Sequence, residues 1–160
     1  MLKRTFLLFL IAAVVLAGCN SGPENPAPPA TIVPGQNPLK IAFLDVGQGD
    51  SILIQAPNGQ TMLIDGGRST GLASEVIIPK LKEWGARQVD VLIPTHPDLD
   101  HIAGLVGVLE SYPVKLAALT GQVHTTKIYE RLLTDIRDKN IKALKVRTGT
   151  PIPFYPAVKI

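Results

Sequence analysis

The order in which strand-like and helix-like segments follow one another is the feature that most constrains the fold. Three short apolar runs come first, at residues 39–46, 51–55 and 61–65. Asn58-Gly59 lies between the second and third runs, and this dipeptide is a strong signal for a β-hairpin. The pattern predicts three neighbouring antiparallel strands, and Gly66-Gly67 ends the third.

After residue 67, strand-like and helix-like segments alternate. Apolar runs typical of strands lie at 89–95, 114–119 and 143–147. Patterns typical of helices lie at 75–84, 102–109 and 125–139. Pro79 either kinks the first of these helices or stands in its first turn. Hairpin strands followed by alternating strands and helices predict an α/β domain with a mixed sheet.

Residues 1–18 have the layout of a secretory signal peptide. Lys3 and Arg4 precede an unbroken apolar run of 12 residues, 6–17, whereas a membrane-spanning helix needs about 20. The run leads into Leu16-Ala17-Gly18-Cys19, which resembles the lipobox of bacterial lipoproteins. That resemblance implies an extracytoplasmic protein, anchored to the bacterial cell membrane through lipid on Cys19. The alternative is an ordinary signal peptide or a buried helix with an incidental cysteine.

Residues 19–38 are interpreted as a proline-rich tether, because six prolines lie between residues 20 and 38 and apolar periodicity is absent. A disordered leader with no spacing role is the alternative.

The domain then runs from 39 to 160. Composition agrees with one globular domain, since 46% of the 160 residues are hydrophobic and 18% are charged. The net charge of +3 falls to +1 without Lys3 and Arg4, so net charge does not argue for a nucleic-acid partner. The single cysteine excludes an internal disulfide framework.

Chemistry-bearing side chains are concentrated in the loop after the strand at 89–95. His96, Asp98, Asp100 and His101 lie within six residues, and imidazole and carboxylate groups bind divalent metals. A turn into a helix at Ile102 would bring all four to one cavity, as ligands of two neighbouring ions. Structural roles are the alternatives, since Asp100 could instead cap the helix that follows and Asp98 could brace the turn at Pro97. A calcium loop is a poor match because Ile102 stands where it needs an acidic or amide side chain.

The motif His96-Pro-Asp98-Leu-Asp100-His101 resembles the metal motif of the metallo-β-lactamase fold, in which His is commoner at the position of Asp98. The variant with Asp resembles the ComEC-type branch, named for a competence protein that takes up DNA. Three further stretches resemble that branch: 43–51 (FLDVGQGDS), 63–67 (LIDGG) and 104–105 (GL). The resemblance runs from about Leu39 to the end of the chain. It implies an αββα sandwich with a mixed sheet, of which this chain would hold the N-terminal half.

The resemblance also implies roles for single residues. His96 and Asp98 would bind the first metal, and Asp100 and His101 the second, with Asp100 also a catalytic residue. Asp65 would stand behind the ligands and steady the loop.

Other polar residues are implied nearer the substrate: Asp45, Gln48 and Asp50. A purely structural turn over 45–50 is the alternative. The family's bridging aspartate and further histidine do not follow His101. His124 is the only later histidine and could line the cleft. We therefore expect a truncated domain that binds metal weakly and is inactive as a fragment.

Two divalent ions are the expected cofactor. Zn²⁺ is favoured by the two histidines, and Mn²⁺ is the alternative because Asp98 makes the site richer in oxygen. Two such ions polarise a scissile bond and lower the pKa of bound water toward about 7. The predicted function is a phosphodiesterase or nuclease acting on extracellular DNA. Hydrolysis of another ester, a thioester or a lactam stays open, as does a non-catalytic surface lipoprotein with a degenerate site.

Overall fold

The structure is a computed structural model that describes residues 37–156, so the signal peptide, Cys19 and most of the tether lie outside the described residues. Six strands form one sheet in the order β1 to β6. Their bounds are β1 Lys40–Phe43, β2 Ile52–Gln55, β3 Thr61–Ile64, β4 Val91–Ile93, β5 Leu116–Leu119 and β6 Lys142–Lys145. β1, β2 and β3 pair antiparallel, whereas β3 to β6 pair parallel. The predicted mixed sheet is confirmed.

Helices connect the parallel strands. A π-helix, Ala73–Ile77, leads into α1 (Ile78–Glu83); α2 (Leu99–Ser111) follows β4, and α3 (Lys127–Asp138) follows β5. Pro79 stands in the first turn of α1. The proline, which lacks an N–H, thus lies at the junction of the π-helix and α1, and the helical path continues through it.

The start of α2 differs from the prediction at Ile102. The Asp98 carbonyl accepts the backbone N–H groups of His101 and Ile102, so the helix begins at Leu99. Two of the four motif residues therefore lie in the first helical turn, and the other two lie in the loop before it.

The helices pack on one face of the sheet. Leu53, Leu63 and Leu92, from three adjacent strands, are fully buried against apolar residues of the π-helix, α1, α2 and α3. Each such leucine stabilises the fold by about 1.5–3 kcal/mol. Alternate residues such as Met62 and Val91 face the other side, where Phe154 contributes to a second cluster. Residues 37–156 thus form one sheet with one helical layer, which is one half of an αββα sandwich.

This arrangement positions the predicted site. Because β3 and β4 are parallel neighbours, the residues after Ile64 and Ile93 emerge at the same edge of the sheet. No helix in the described range 37–156 is long and apolar enough to cross a membrane. The sequence of residues 156–160 is typical of the beginning of a further strand, and residues 157–160 lie outside that range.

Candidate metal centre

The site is built around Asp65, which directly follows β3. Its side chain is buried, and its backbone has a φ of 56°, in the left-handed region. Oδ1 accepts the backbone N–H of Thr95 at 2.8 Å, and Oδ2 accepts the Thr95 hydroxyl at 2.6 Å. Oδ2 also lies 2.9 Å from Nδ1 of His101. Asp65 therefore joins the end of β3, the loop after β4 and the first turn of α2.

The same carboxylate orients both histidines. Since Oδ2 of Asp65 accepts hydrogen bonds, we assign the proton of His101 to Nδ1, which leaves its Nε2 free. The Thr95 hydroxyl already donates to Asp65, so it accepts from Nδ1 of His96, 2.8 Å away. Nε2 of His96 is then free as well. The two rings lie 3.8 Å apart between centroids, and a ring nitrogen of one lies within 4.8 Å of a ring nitrogen of the other.

Carboxylates complete the cluster. Oδ2 of Asp98 lies 3.5 Å from Nε2 of His96, and Oδ2 of Asp50 lies 3.9 Å from Nδ1 of His101. Ligand-type atoms of Asp65, His96 and His101 all lie within 4.8 Å of one another. Three of the four lone-pair positions of Asp65 are taken by hydrogen bonds, so this residue fits an orienting role better than a ligand role.

The capping alternatives for the two motif acids are not realised. Asp98 is the N-cap of α2 by position, but its side chain makes no capping hydrogen bond. Asp100 lies inside the first turn, and its Oδ2 accepts the side-chain amide of Gln48 at 3.2 Å. That hydrogen bond is the main reason why the pKa of Asp100 is lowered. Both side chains are thus available at the mouth of the site.

Close backbone contacts hold the first turn of α2 in place. A Cβ on Gly104 would lie 1.8 Å from the Gly66 carbonyl oxygen, and one on Gly49 would lie 1.7 Å from the Asp100 carbonyl oxygen. Gly66 N–H donates to the carbonyl of His101 at 2.7 Å. The loop before β2, the loop after β3 and helix α2 therefore touch at Gly49, Gly66 and Gly104, one glycine from each matching stretch.

The remaining predicted residues are placed less centrally. Asp45 accepts the N–H of Gly47 at 3.3 Å within its own turn. His124 stands in the loop after β5, where Nδ1 lies 3.0 Å from Oγ1 of Thr126 and the ring meets Tyr129 edge-on. Neither contact involves the histidines of the motif.

Two contributors were missed by reasoning from the sequence. Thr95 links Asp65 to His96, and a hydroxyl directly before the motif was the available signal. Arg68 donates from Nη1 to Oε1 of Gln48 at 2.8 Å, which places a guanidinium beside the site. Its position just after Gly66-Gly67 was the available signal.

Comparison with known proteins agrees with this geometry. Residues 44–153 match the Metallo-beta-lactamase superfamily. The chain is 30% identical over 125 residues to ComE operon protein 3 of Bacillus subtilis (strain 168), covering 69% of this chain and 16% of that protein. It is 32% identical over 105 residues to competence protein ComA of Neisseria gonorrhoeae, covering 66% of this chain and 13% of that protein. The matched regions are thus small parts of both relatives.

A solved structure assigned as a metallo-beta-lactamase from Thermotoga maritima is 17% identical, with a TM-score of 0.43 over 76% of this chain and 56% of that one. By its match over residues 44–153, the chain belongs to the metallo-beta-lactamase superfamily of hydrolases. Its likeness to the two competence proteins supports the ComEC-type branch of that superfamily.

The residues present fit a divalent cation. Two imidazole nitrogens face one region, and exposed carboxylates of Asp98 and Asp50 stand beside them, with side chains 61% and 71% exposed. Nitrogen and oxygen donors of this kind bind zinc and manganese. The hydrogen-bonded Asp65 behind the imidazoles is the support that metal-ligating histidines usually have.

Proposed function

We propose that the protein is a metallohydrolase that cleaves phosphodiesters, with extracellular DNA as its substrate. One observation carries the proposal. Asp65 orients His101 directly and orients His96 through the Thr95 hydroxyl. A buried carboxylate that directs two imidazoles to one place has a clear purpose in a metal site. The competence-protein relatives favour DNA over other esters.

His96, Asp98, Asp100 and His101 would hold two divalent ions, Zn²⁺ in the first place and Mn²⁺ as the alternative. When bound, such ions supply a Lewis acid and lower the pKa of water so that it can act as nucleophile. The side chains prepare this site in advance. Asp65 keeps the Nδ1 proton on His101, and the Gln48 amide holds one oxygen of Asp100 and leaves the other free.

Asp100 is the proposed catalytic carboxylate. A carboxyl group is already ionised at neutral pH, and the hydrogen bond from Gln48 lowers the pKa of Asp100 further. An ionised carboxylate at the mouth can bind a cation or accept a proton from water. A serine or cysteine nucleophile is not required by this chemistry.

The test is metal-dependent hydrolysis by the full-length protein, with bis(p-nitrophenyl) phosphate and single-stranded DNA as substrates. His101→Ala is expected to lower kcat/KM on both by more than about 100-fold. On bis(p-nitrophenyl) phosphate, His124→Ala is the matched control, because it removes an imidazole whose contacts to Thr126 and Tyr129 lie outside the Asp65 cluster. Wild-type protein that binds metal yet cleaves neither substrate would reject the proposal. Turnover of a thioester or lactam instead would assign a different bond, and no turnover at all would favour a non-catalytic protein.

We also propose that the protein is exported and anchored to the cell membrane through lipid on Cys19, which lies outside the described residues. The Leu16-Ala17-Gly18-Cys19 sequence after an apolar run supports this. Metabolic labelling with radioactive palmitate should mark the wild-type protein and not the Cys19→Ser variant. Equal labelling of both would reject lipidation at this residue.

A further inference from the structure

The sheet edge that carries the metal centre also carries three exposed basic side chains with no role in the proposed chemistry: Arg68, Lys145 and Arg147. Arg68 follows β3, Lys145 ends β6, and Arg147 lies two residues further on. Because β3 to β6 are parallel, the three residues emerge at the same edge. Arg68 reaches Gln48 in the loop before β2, so the metal centre lies between Arg68 and the other two.

These cations are held by neutral groups. Arg68 donates to the Gln48 amide oxygen, and Arg147 donates to the backbone carbonyl of Thr120. The stem of Lys145 crosses the loop after β5, where a Cβ on Gly121 would lie 2.9 Å from its Cε.

Some of the other basic residues form ion pairs with carboxylates. Lys80 bonds Glu83 at 2.6 Å, and Arg131 pairs with Glu110. Within residues 37–156, none of Arg68, Lys145 and Arg147 forms an ion pair with a carboxylate. Their charge is therefore available to an external anion.

We propose that this edge binds a single strand of nucleic acid, which runs from Arg68 across the metal centre to Lys145 and Arg147. The inference rests on the proposed phosphodiesterase function. It extends that function from hydrolysis of one phosphodiester bond to recognition of a nucleic-acid strand. Adjacent strands lie about 4.8 Å apart, so the distance from β3 to β6 is about 14 Å. A single small phosphodiester cannot reach both ends, whereas a chain with several phosphates can.

The loop between β5 and α3 favours a nucleic acid over a bare polyphosphate. Val123 is 89% exposed, and the ring of His124 stands next to it. Single-strand binding sites commonly combine a basic track with such rings and apolar groups, on which bases stack. The exposed carboxylates of Asp50 and Asp98 oppose phosphate near the centre until cations offset them, so the two basic ends must supply most of the attraction.

The first experiment measures binding without cleavage. The full chain is titrated in EDTA at about 50 mM salt against a fluorescein-labelled oligonucleotide, and anisotropy gives Kd. The double variant Lys145→Ala with Arg147→Ala is expected to bind about tenfold more weakly. Its slope of log Kd against log salt should fall by about 1.4, because each phosphate contact to a single strand contributes about 0.7. The matched control is Lys115→Ala with Lys142→Ala, which removes the same charge at the opposite ends of β5 and β6 and should leave Kd unchanged.

Equal affinity in the double variant and the control would overturn the inference. So would binding of inorganic polyphosphate as tight as that of the oligonucleotide, since bases would then contribute nothing. The single variant Lys145→Ala covers the case in which loss of the Arg147 contact to Thr120 perturbs folding. Its log Kd should change by about half as much as that of the double variant.

The second experiment compares substrates with metal present. The ratio of kcat/KM on the oligonucleotide to kcat/KM on bis(p-nitrophenyl) phosphate should fall about tenfold in the double variant. An unchanged ratio would overturn the proposal that this edge binds a nucleic-acid strand. Wild-type protein that binds the strand and cleaves neither substrate would reject the proposed hydrolysis alone, so the two ideas fail separately.

Discussion

At the scale of single residues, one carboxylate organises the candidate metal centre. Asp65 is buried and accepts two hydrogen bonds from Thr95 and one from His101. Through the Thr95 hydroxyl it also sets the ring of His96. Two prospective ligands from different elements thus depend on one side chain, and removal of that side chain must affect both.

Asp65→Asn tests this dependence. The amide replaces one acceptor oxygen with a donor, which then faces the donors of Thr95 or His101. We expect the affinity of the full chain for Zn²⁺ to fall about 10–100-fold, as measured by isothermal titration calorimetry. Asp90→Asn is the control, because Asp90 accepts the Thr61 N–H at 2.9 Å at the far edge of the sheet. Undiminished affinity in Asp65→Asn would contradict an orienting role.

Thr95 offers a second test, in which one hydroxyl is kept or removed. Thr95→Val removes a hydrogen-bond donor from the buried Asp65 and frees the ring of His96. We expect the free energy of unfolding in urea to fall by about 1–3 kcal/mol, together with weaker Zn²⁺ binding. Thr95→Ser keeps the hydroxyl and should stay close to wild type in both measurements. If Ser and Val behave alike, the hydroxyl does not connect the two residues.

At the scale of elements, the placement of α2 is decided by backbone contact. Gly66 and Gly104 touch with no side chain between them, and Gly104 N–H donates to the Gly67 carbonyl at 3.2 Å. This contact holds the first turn of α2, and therefore His101, close to the end of β3.

Gly104→Ala should therefore destabilise the protein although alanine is the better helix former. Helix propensity alone would stabilise this variant by about 1 kcal/mol. The added Cβ would lie 1.8 Å from the Gly66 carbonyl oxygen, so α2 must move, at a cost of about 1–3 kcal/mol or more. Urea denaturation measures the difference. Gly71→Ala is the control, because its Cβ would meet only side-chain ends, Oε1 of Glu75 at 3.1 Å and Oγ of Ser69 at 3.5 Å.

The contact of α3 with α2 gives a pH-dependent prediction. Burial first, and the nearby Glu110 charge second, raise the pKa of Asp135. Within the described residues, its Oδ2 is buried without a hydrogen-bond partner. A raised pKa means that the folded protein holds this proton more tightly than the unfolded chain does, so ionisation reduces stability as pH rises past the unfolded value.

Asp135→Asn should thus raise the free energy of unfolding at about pH 7 and change it less at about pH 3, where the acid is protonated in both states. Urea denaturation at the two pH values measures this. Asp138→Asn, on the exposed side of the same helix, should show little effect at either pH. An effect of Asp135→Asn that is the same at both pH values would contradict the assigned cause.

The elements differ in how far the sequence could predict them. The three antiparallel strands were predictable because Asn58-Gly59 sets a turn locally and the strands are short apolar runs bounded by turn residues. The first turn of α2 was not, since Pro97 and two acids precede an apolar run that begins only at Ile102. The four motif residues were identified from their types and spacing, whereas the bridging role of Thr95 depends on Asp65, 30 residues away. Contacts of that range leave no local pattern.

At the scale of the whole molecule, the two faces of the sheet differ in how well they are covered. The helices cover one face. On the other face, the edge strand β1 exposes an apolar stripe to solvent. Leu39, Ile41 and Phe43 alternate along that strand and are 43%, 53% and 80% exposed. Exposed apolar edge strands are sites of association, so we expect this stripe to be such a site.

The compact unit 33–160, produced by itself, should therefore bind the dye ANS and self-associate. Ile41→Lys with Phe43→Lys is expected to lower ANS fluorescence several-fold and to shift sedimentation toward the monomer, because charge on an edge strand opposes pairing. Leu133→Lys is the control, since Leu133 is 38% exposed on α3, away from the stripe. If both variants reduce association equally, general charge is the cause and the stripe is not an interface. If only the β1 variant does so, the chain associates through this strand.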